Sequence, residues 1–204
     1  HDALHSIAKG KADVGALNGF HFNDENAWPR DAMRLLFTSN HDKNAWDGTQ
    51  SEAFGDALES AIVLSFVSRG IPMIYNGQEA GDSKRLAFFD KDPIEWQEHP
   101  LSDLFQNLIK LKKNNTALWN GRWGADMIQV VNSSPAEIFS FVRLNDRNKV
   151  FAVFNFSTNK INTSFSGSLY HDDYRDFVSG EEVSLGSESK FELEPWSYRV
   201  FTRQ

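Results

Sequence analysis

The 204-residue chain is 40% hydrophobic, 13% aromatic and 24% charged, a globular balance with large side chains enough for one large or two small cores. Its net charge of −7 is spread without a basic patch, which argues against nucleic acid and anionic membrane as partners. With no cysteine, disulfides, thiol catalysis and thiolate zinc sites are excluded. No apolar run approaches the roughly 20 residues that cross a bilayer. The sequence starts at His1 rather than Met and shows no signal peptide, so a cut upstream, with targeting information lost there, is the expectation.

His1 to Lys9 carries Leu4, Ile7 and Ala8 at helical spacing and reads as a helix ending near Gly10. Met33 to Phe37 is an apolar run that reads as a short buried strand reaching Thr38. Thr49 and Glu52 make a capping-box pattern that opens a helix. Within it Ala53, Ala57, Ala61 and Ser65 form a small-residue ridge beside Phe54, Leu58, Ile62 and Phe66, a surface suited to close packing on a sheet. Gly70 supplies the stop and Pro72 forbids continuation. Ile71 to Tyr75 reads as a second buried strand, broken at Gly77.

Strand, helix and strand in this order predict a parallel βαβ unit. Its two strands end in Asn40-His41-Asp42 and in Asn76-Gly77-Gln78-Glu79. Parallel pairing puts both polar clusters on one rim, and the carboxyl ends of parallel strands are where α/β enzymes place substrate sites. A strand followed by an ordinary polar turn is the bland alternative.

Leu101, Leu104, Phe105, Leu108 and Leu111 share one face of a helix to Lys113, with Pro100 at its start. Lys110, Lys112 and Lys113 sit at its end, where cations offset the dipole, and read as structural. From Leu118 onward the pattern changes to short alternating segments such as 138–143, 150–156 and 197–201, separated by turns such as Asn145-Asp146-Arg147-Asn148 and Ser179-Gly180. That spacing predicts an antiparallel sandwich. The boundary falls near Asn114 to Ala117, giving units 1–117 and 118–204.

Phe37-Thr38-Ser39-Asn40-His41-Asp42 and Gly70-Ile71-Pro72-Met73-Ile74-Tyr75-Asn76-Gly77-Gln78-Glu79 together resemble the seventh- and eighth-strand segments of α-amylase family glycoside hydrolases. The stretch from Arg85 to Trp96 resembles bacterial α-amylases as well. The resemblance implies the carboxyl-terminal part of a (β/α)8 TIM barrel over residues 1–117, followed by a β-sandwich over 118–204. It implies retaining hydrolysis, or transfer, at α-glucosidic bonds of starch or maltooligosaccharides, chemistry that needs two carboxyl groups about 5 Å apart. The strands that carry the family's nucleophile and acid/base are not matched by this sequence. Asp42 matches the third carboxylate, which stabilises the positively charged transition state, and His41 its neighbour that donates to a sugar hydroxyl. The isolated chain is therefore expected not to hydrolyse starch.

Around them, Asn40 either supports Asp42 or terminates the strand. Lys43 and Asn44 are rim candidates for substrate binding. Trp46 either stacks on a sugar or anchors packing. Glu79 looks like an acid when read alone, and the resemblance makes it a charge partner behind the site. Trp119, Trp123 and Trp196 read as core or interface residues of the sandwich, and Asp172-Asp173 and Glu181-Glu182 as solvated turns without calcium-loop spacing. No metal or cofactor is expected here, and the calcium that the family often binds would sit mostly upstream. The resemblance favours a periplasmic or extracellular location for a full-length protein. The alternatives are a non-catalytic glycosidase-like protein used for carbohydrate binding or assembly, and a free-standing sugar-binding sandwich. Two strands of a barrel leave apolar edges, so the chain is expected to self-associate or pair with the missing barrel portion.

Overall fold

A computed structural model of the chain describes residues 1–23, 29 and 32–203. Helices α1 (Asp2–Ala8) and α2 (Gly15–Asn18) precede strand β1 (Leu35–Leu36). The capping box forms as its residues require: Glu52 N donates to Thr49 Oγ1 at 3.2 Å and Thr49 N donates to Glu52 Oε2 at 2.8 Å. The single helix expected beyond it is divided into α3 (Gln50–Phe54), a 3-10 turn at Gly55–Ala57, and α4 (Leu58–Val67). The break lies at Gly55, whose φ of 51° and ψ of −129° leave the helical region and suit a residue without Cβ.

Strand β2 (Ile71–Pro72) pairs with β1 in parallel, Leu35 opposite Ile71 and Leu36 opposite Pro72. Ile71 N donates to Arg34 O and Met73 N to Leu36 O, each at 2.8 Å. Gly70, at φ 151°, makes this approach feasible, since a Cβ there would lie 2.7 Å from Arg34 O and from the Leu36 side chain. The strands are shorter than the apolar runs suggested, and they are covered on one face only. Leu36 is buried, whereas Met33, Leu35 and Ile71 are 44%, 52% and 37% exposed. Two residues of pairing cover too little backbone for both side-chain faces to find neighbours.

Helix α5 (Pro100–Asn114) starts at the expected proline, with His99 Nδ1 accepting from Leu101 N at 3.2 Å. Beyond it, β3 (Met127–Gln129), β4 (Ile138–Leu144), β5 (Lys149–Asn155), β7 (Asp172–Asp176), β8 (Glu182–Leu185) and β10 (Tyr198–Arg203) form one antiparallel sheet in the order β3-β4-β5-β10-β7-β8. Strands β6 (Ile161–Ser164) and β9 (Lys190–Leu193) form a second, smaller antiparallel sheet. The two sheets enclose an aromatic core of Phe151, Phe165, Tyr170 and Phe201, with Phe191 against it, and make the β-sandwich that the sequence predicts.

The opposite face of the larger sheet is also covered along β4 and β5. Phe139, Phe141, Phe154 and Val200 pack there with Val63, Phe66 and Val67 of α4 and with Phe105, Leu108 and Leu111 of α5. Every residue of β5 is therefore buried, alternate side chains entering alternate cores. Burying each such large apolar side chain contributes about 2 kcal/mol, so the helices and the sandwich stabilise one another. Ser60 Oγ donates to Trp196 O at 2.5 Å and Tyr198 Oη to Glu59 Oε1 at 2.7 Å across the same seam.

The seam also carries one buried and one half-buried cation. Arg143, 0% exposed, donates to the carbonyls of Ser68 and Trp119 at 2.8 Å and of Ala125 at 3.0 Å. Burial pushes its guanidinium down to about 9. Lys112 Nζ donates to Leu118 O at 2.8 Å and Phe66 O at 3.2 Å, and burial, helped by Arg143, pushes it down to about 7. Of the lysine cluster, Lys112 is structural as expected, and it reaches carbonyls of α4 and of the 3-10 turn after α5 instead of simply facing water.

Two further expectations are corrected. Trp123 is 58% exposed and is not a core residue, whereas Trp119, 42% exposed, donates through Nε1 to Lys113 O of α5 at 3.1 Å, an interface position as expected, and Trp196 packs on the helix-facing core. Asp172 and Asp173 belong to β7 rather than a turn, and Asp172 Oδ2 pairs with Lys149 at 3.2 Å and Arg203 at 3.0 Å. Among the described residues no group of three or more His, Asp or Glu is arranged to hold a metal, and no helix is long and apolar enough to cross a membrane.

Candidate active-site rim

The polypeptide leaving β1 turns at Thr38 and Ser39, both buried, and enters a helical turn at His41 that continues as a π-type turn over Lys43–Asp47. Asn40 caps that turn, its Oδ1 accepting from Lys43 N at 2.7 Å while its carbonyl accepts from Asn44 N at 2.9 Å. The cap fixes where the next two side chains emerge. His41 and Asp42 are 67% and 58% exposed, with His41 Nε2 3.6 Å from Asp42 Oδ2.

The polypeptide leaving β2 is tied to the same place. Gln78, only 4% exposed, donates through Nε2 to Thr38 Oγ1 and to Gln50 Oε1, each at 2.8 Å, and accepts from Tyr75 N at 2.6 Å. One amide thus holds the turn after β1, the turn after β2 and the start of α3. Gln78 of the second polar cluster thus lies against Thr38, in the turn that leads to Asn40, His41 and Asp42.

Asn44 repeats this arrangement further along. It is buried, its Nδ2 donates to Lys84 O at 3.1 Å and its Oδ1 accepts from Leu86 N at 2.8 Å. The stretch after β2 is thereby fastened over the turn after β1, and an ion pair between Lys84 and Asp92, with Ala87 N donating to Asp92 Oδ2 at 2.8 Å, closes it into a loop. Arg85 Nε bonds Glu52 Oε2 at 2.9 Å, and this contact holds the Glu52 carboxyl down to about 2.

The other sequence candidates divide. Trp46 is 62% exposed and touches Phe88, ring centroids 5.4 Å apart. Phe88 in turn lies 5.6 Å from the His41 ring and 4.8 Å from Phe89. Lys43 is committed elsewhere, with Asp47 at 2.8 Å and Asp2 of α1 at 3.2 Å, and those contacts raise its ammonium pKa. Glu79 lies on the 3-10 turn Gln78–Ala80, and its buried Oε2 has no hydrogen-bond partner. Ser39 Oγ and Asp82 Oδ2 are likewise buried without a partner, and both residues line a small polar cavity with Asn44, Gln50 and Gln78.

Phe88, Phe89 and the Gln78 and Asn44 fastenings escaped sequence reasoning. Adjacent phenylalanines in an otherwise charged loop were a usable signal for the first pair. The amides gave none, because an asparagine or glutamine reveals its partners only once distant segments are brought together.

Residues 128–201 match the family described as "Alpha amylase, C-terminal all-beta domain". "Alpha-amylase 2" of Dictyoglomus thermophilum is 27% identical over 154 residues, 67% of this chain and 26% of that protein. "Alpha-amylase MalA" of Haloarcula japonica is 24% identical over 188 residues, 88% of this chain and 26% of that protein. Among solved structures, a maltogenic alpha-amylase AmyB from Thermotoga neapolitana superposes with a TM-score of 0.80 at 17% identity, over 97% of this chain and 47% of that one. An alpha-amylase from Geobacillus thermoleovorans, complexed with acarbose, gives 0.77 at 15% identity, over 100% and 46%. The chain spans about a quarter of the length of these curated relatives. At such identities the structures speak for the fold.

Proposed function

We propose, starting from a chain that is a homologue of α-amylases and carries their C-terminal all-beta domain at residues 128–201, that its rim is the accessory part of a glycosidase active site. Asp42 is the carboxylate that binds hydroxyls of the distorted sugar and offsets the positive charge of the oxocarbenium-like transition state. His41 donates to a sugar hydroxyl beside it. Asn40 sets their direction by capping the turn, and the substrate class is an α-glucan or maltooligosaccharide. The observation that carries this reading is the pairing of His41 and Asp42, adjacent and open to solvent, above a buried amide network that spends its polar groups on itself.

Retaining hydrolysis needs a nucleophile and an acid about 5 Å apart. Asp42 is the one carboxylate that this proposal assigns to the reaction, so the 204-residue chain binds glucan without cleaving it. Calorimetric titration with maltoheptaose tests the binding, which Asp42→Asn is expected to weaken. Reducing-sugar release tests the rest: turnover by the purified chain refutes the accessory role, and absence of binding refutes the site.

A further inference from the structure

The polar cavity lined by Ser39 and Gln78 holds groups that the reading above leaves unused. Ser39, only 2% exposed, belongs to the turn after β1, and its Oγ has no hydrogen-bond partner. Asp82 lines the same cavity from the stretch after β2. Its Oδ1 accepts from Lys84 N at 2.9 Å, whereas its Oδ2 is buried without a partner. That oxygen is turned toward Gly77, where a Cβ would lie 3.3 Å from it. A buried hydroxyl and a buried carboxylate oxygen are costly to leave unpaired, and the cavity that they share admits a single water-sized molecule. We infer that this cavity is a binding site for one structural water molecule, which joins Ser39 Oγ to Asp82 Oδ2. The turn that carries Asn40, His41 and Asp42 is thereby tied to the stretch after β2 a second time, beside the Gln78–Thr38 bond.

The chemistry of the lining selects water over other small occupants. A carboxylate oxygen only accepts, whereas a serine hydroxyl both donates and accepts. Water donates to the first and takes either role with the second, and such a bridge is nearly as favourable as a direct bond. The amides around the cavity are already committed. Gln78 Nε2 donates to Thr38 Oγ1 and to Gln50 Oε1, and Asn44 Oδ1 accepts from Leu86 N. A calcium ion takes about six to eight oxygens, and Asp82 is the acid that this cavity supplies. An anion would meet that same carboxylate. Tyr75, on the cavity wall, has its phenol pKa raised by burial and then by the Asp82 charge, so the negative charge is felt inside.

The water site does not depend on what the rim binds. A crystal structure of the 204-residue chain that shows ordered solvent tests it directly. Expected is one water oxygen within about 3.2 Å of both Ser39 Oγ and Asp82 Oδ2. A direct bond between the two side chains, or a cavity closed by another side chain, overturns it. Urea denaturation gives the energetic test. Ser39→Ala and Asp82→Ala are each expected to raise the unfolding constant about tenfold, and the double variant about tenfold less than the product of the two. Effects that simply multiply would overturn the link, because each side chain would then act without the other. Melts in sodium, potassium and choline chloride at equal ionic strength are expected to coincide. A midpoint that follows the sodium or potassium concentration would make the occupant a metal ion and overturn the water.

Discussion

Gln78 reaches Thr38 at 2.8 Å, joining two turns that lie forty positions apart in the chain. This contact, more than the two-residue pairing of β1 and β2, sets the rim, since it fixes the points at which both polar clusters leave the sheet.

Replacing Gln78 by Ala leaves Thr38 Oγ1, Gln50 Oε1 and Tyr75 N without their amide partner in a buried position. A loss of about 2 kcal/mol is expected. Urea denaturation measures it, and an unchanged midpoint would show that the amide is dispensable.

Asn44→Ala acts on mobility instead. It frees Lys84 and Leu86 from the turn after β1 while leaving the wider cores untouched. Cleavage by trypsin after Lys84 or Arg85 is expected to quicken about tenfold, and equal rates would remove Asn44 from its holding role.

Much of this was legible beforehand. The capping box at Thr49 and Glu52, the proline start of α5 and the strands of the sandwich follow from local residue types and appear as read. What escaped was tertiary. Gly55 divides a helix that side-chain periodicity alone would continue, and Leu35 is exposed although its apolar run reads as buried. The candidate site divides in the same way. The pair His41 and Asp42 stood out as polar residues ending an apolar run, whereas Phe88 reaches them only because Asn44 folds the later loop back.

Acid titrates a buried imidazole. His21 is 7% exposed, packed against Phe20 and Phe139, and burial followed by the nearby Arg34 charge pushes its pKa down to about 3 from 6.5. Between those values the unfolded chain binds the proton and the folded chain does not, so stability rises with pH across that window and falls on acidification. Lys112, at about 7 against 10.5, has the same sign and raises stability as pH increases between those values. His21→Phe is expected to flatten the acid limb of the stability–pH curve and leave the alkaline limb alone. A curve of unaltered slope between about pH 3 and 6.5 would dismiss the imidazole as its cause.

Met33, Leu35 and Ile71 present apolar surface beside a sheet that has two strands among the described residues. Concentration-dependent association is therefore expected in sedimentation velocity runs. A single monomeric boundary at high concentration would contradict it.

Arg143→Met removes every bond that fastens the sandwich to the end of α4 through this residue, and the carbonyls of Ser68, Trp119 and Ala125 lose their donor in a dry seam. A loss of about 3 kcal/mol is expected in denaturant melts. Arg143→Lys gathers its donors on one nitrogen, cannot span carbonyls spread around Nε, Nη1 and Nη2, and recovers only part of it.

Every acceptor of that guanidinium is main chain: Val67, Ser68, Leu118, Trp119 and Ala125 supply oxygens that any amino acid would supply. Neighbouring side chains can therefore drift in evolution without loosening the joint, whereas inserting or deleting one residue there would displace the oxygens and unfasten it. The seam is tolerant of spelling and strict about length.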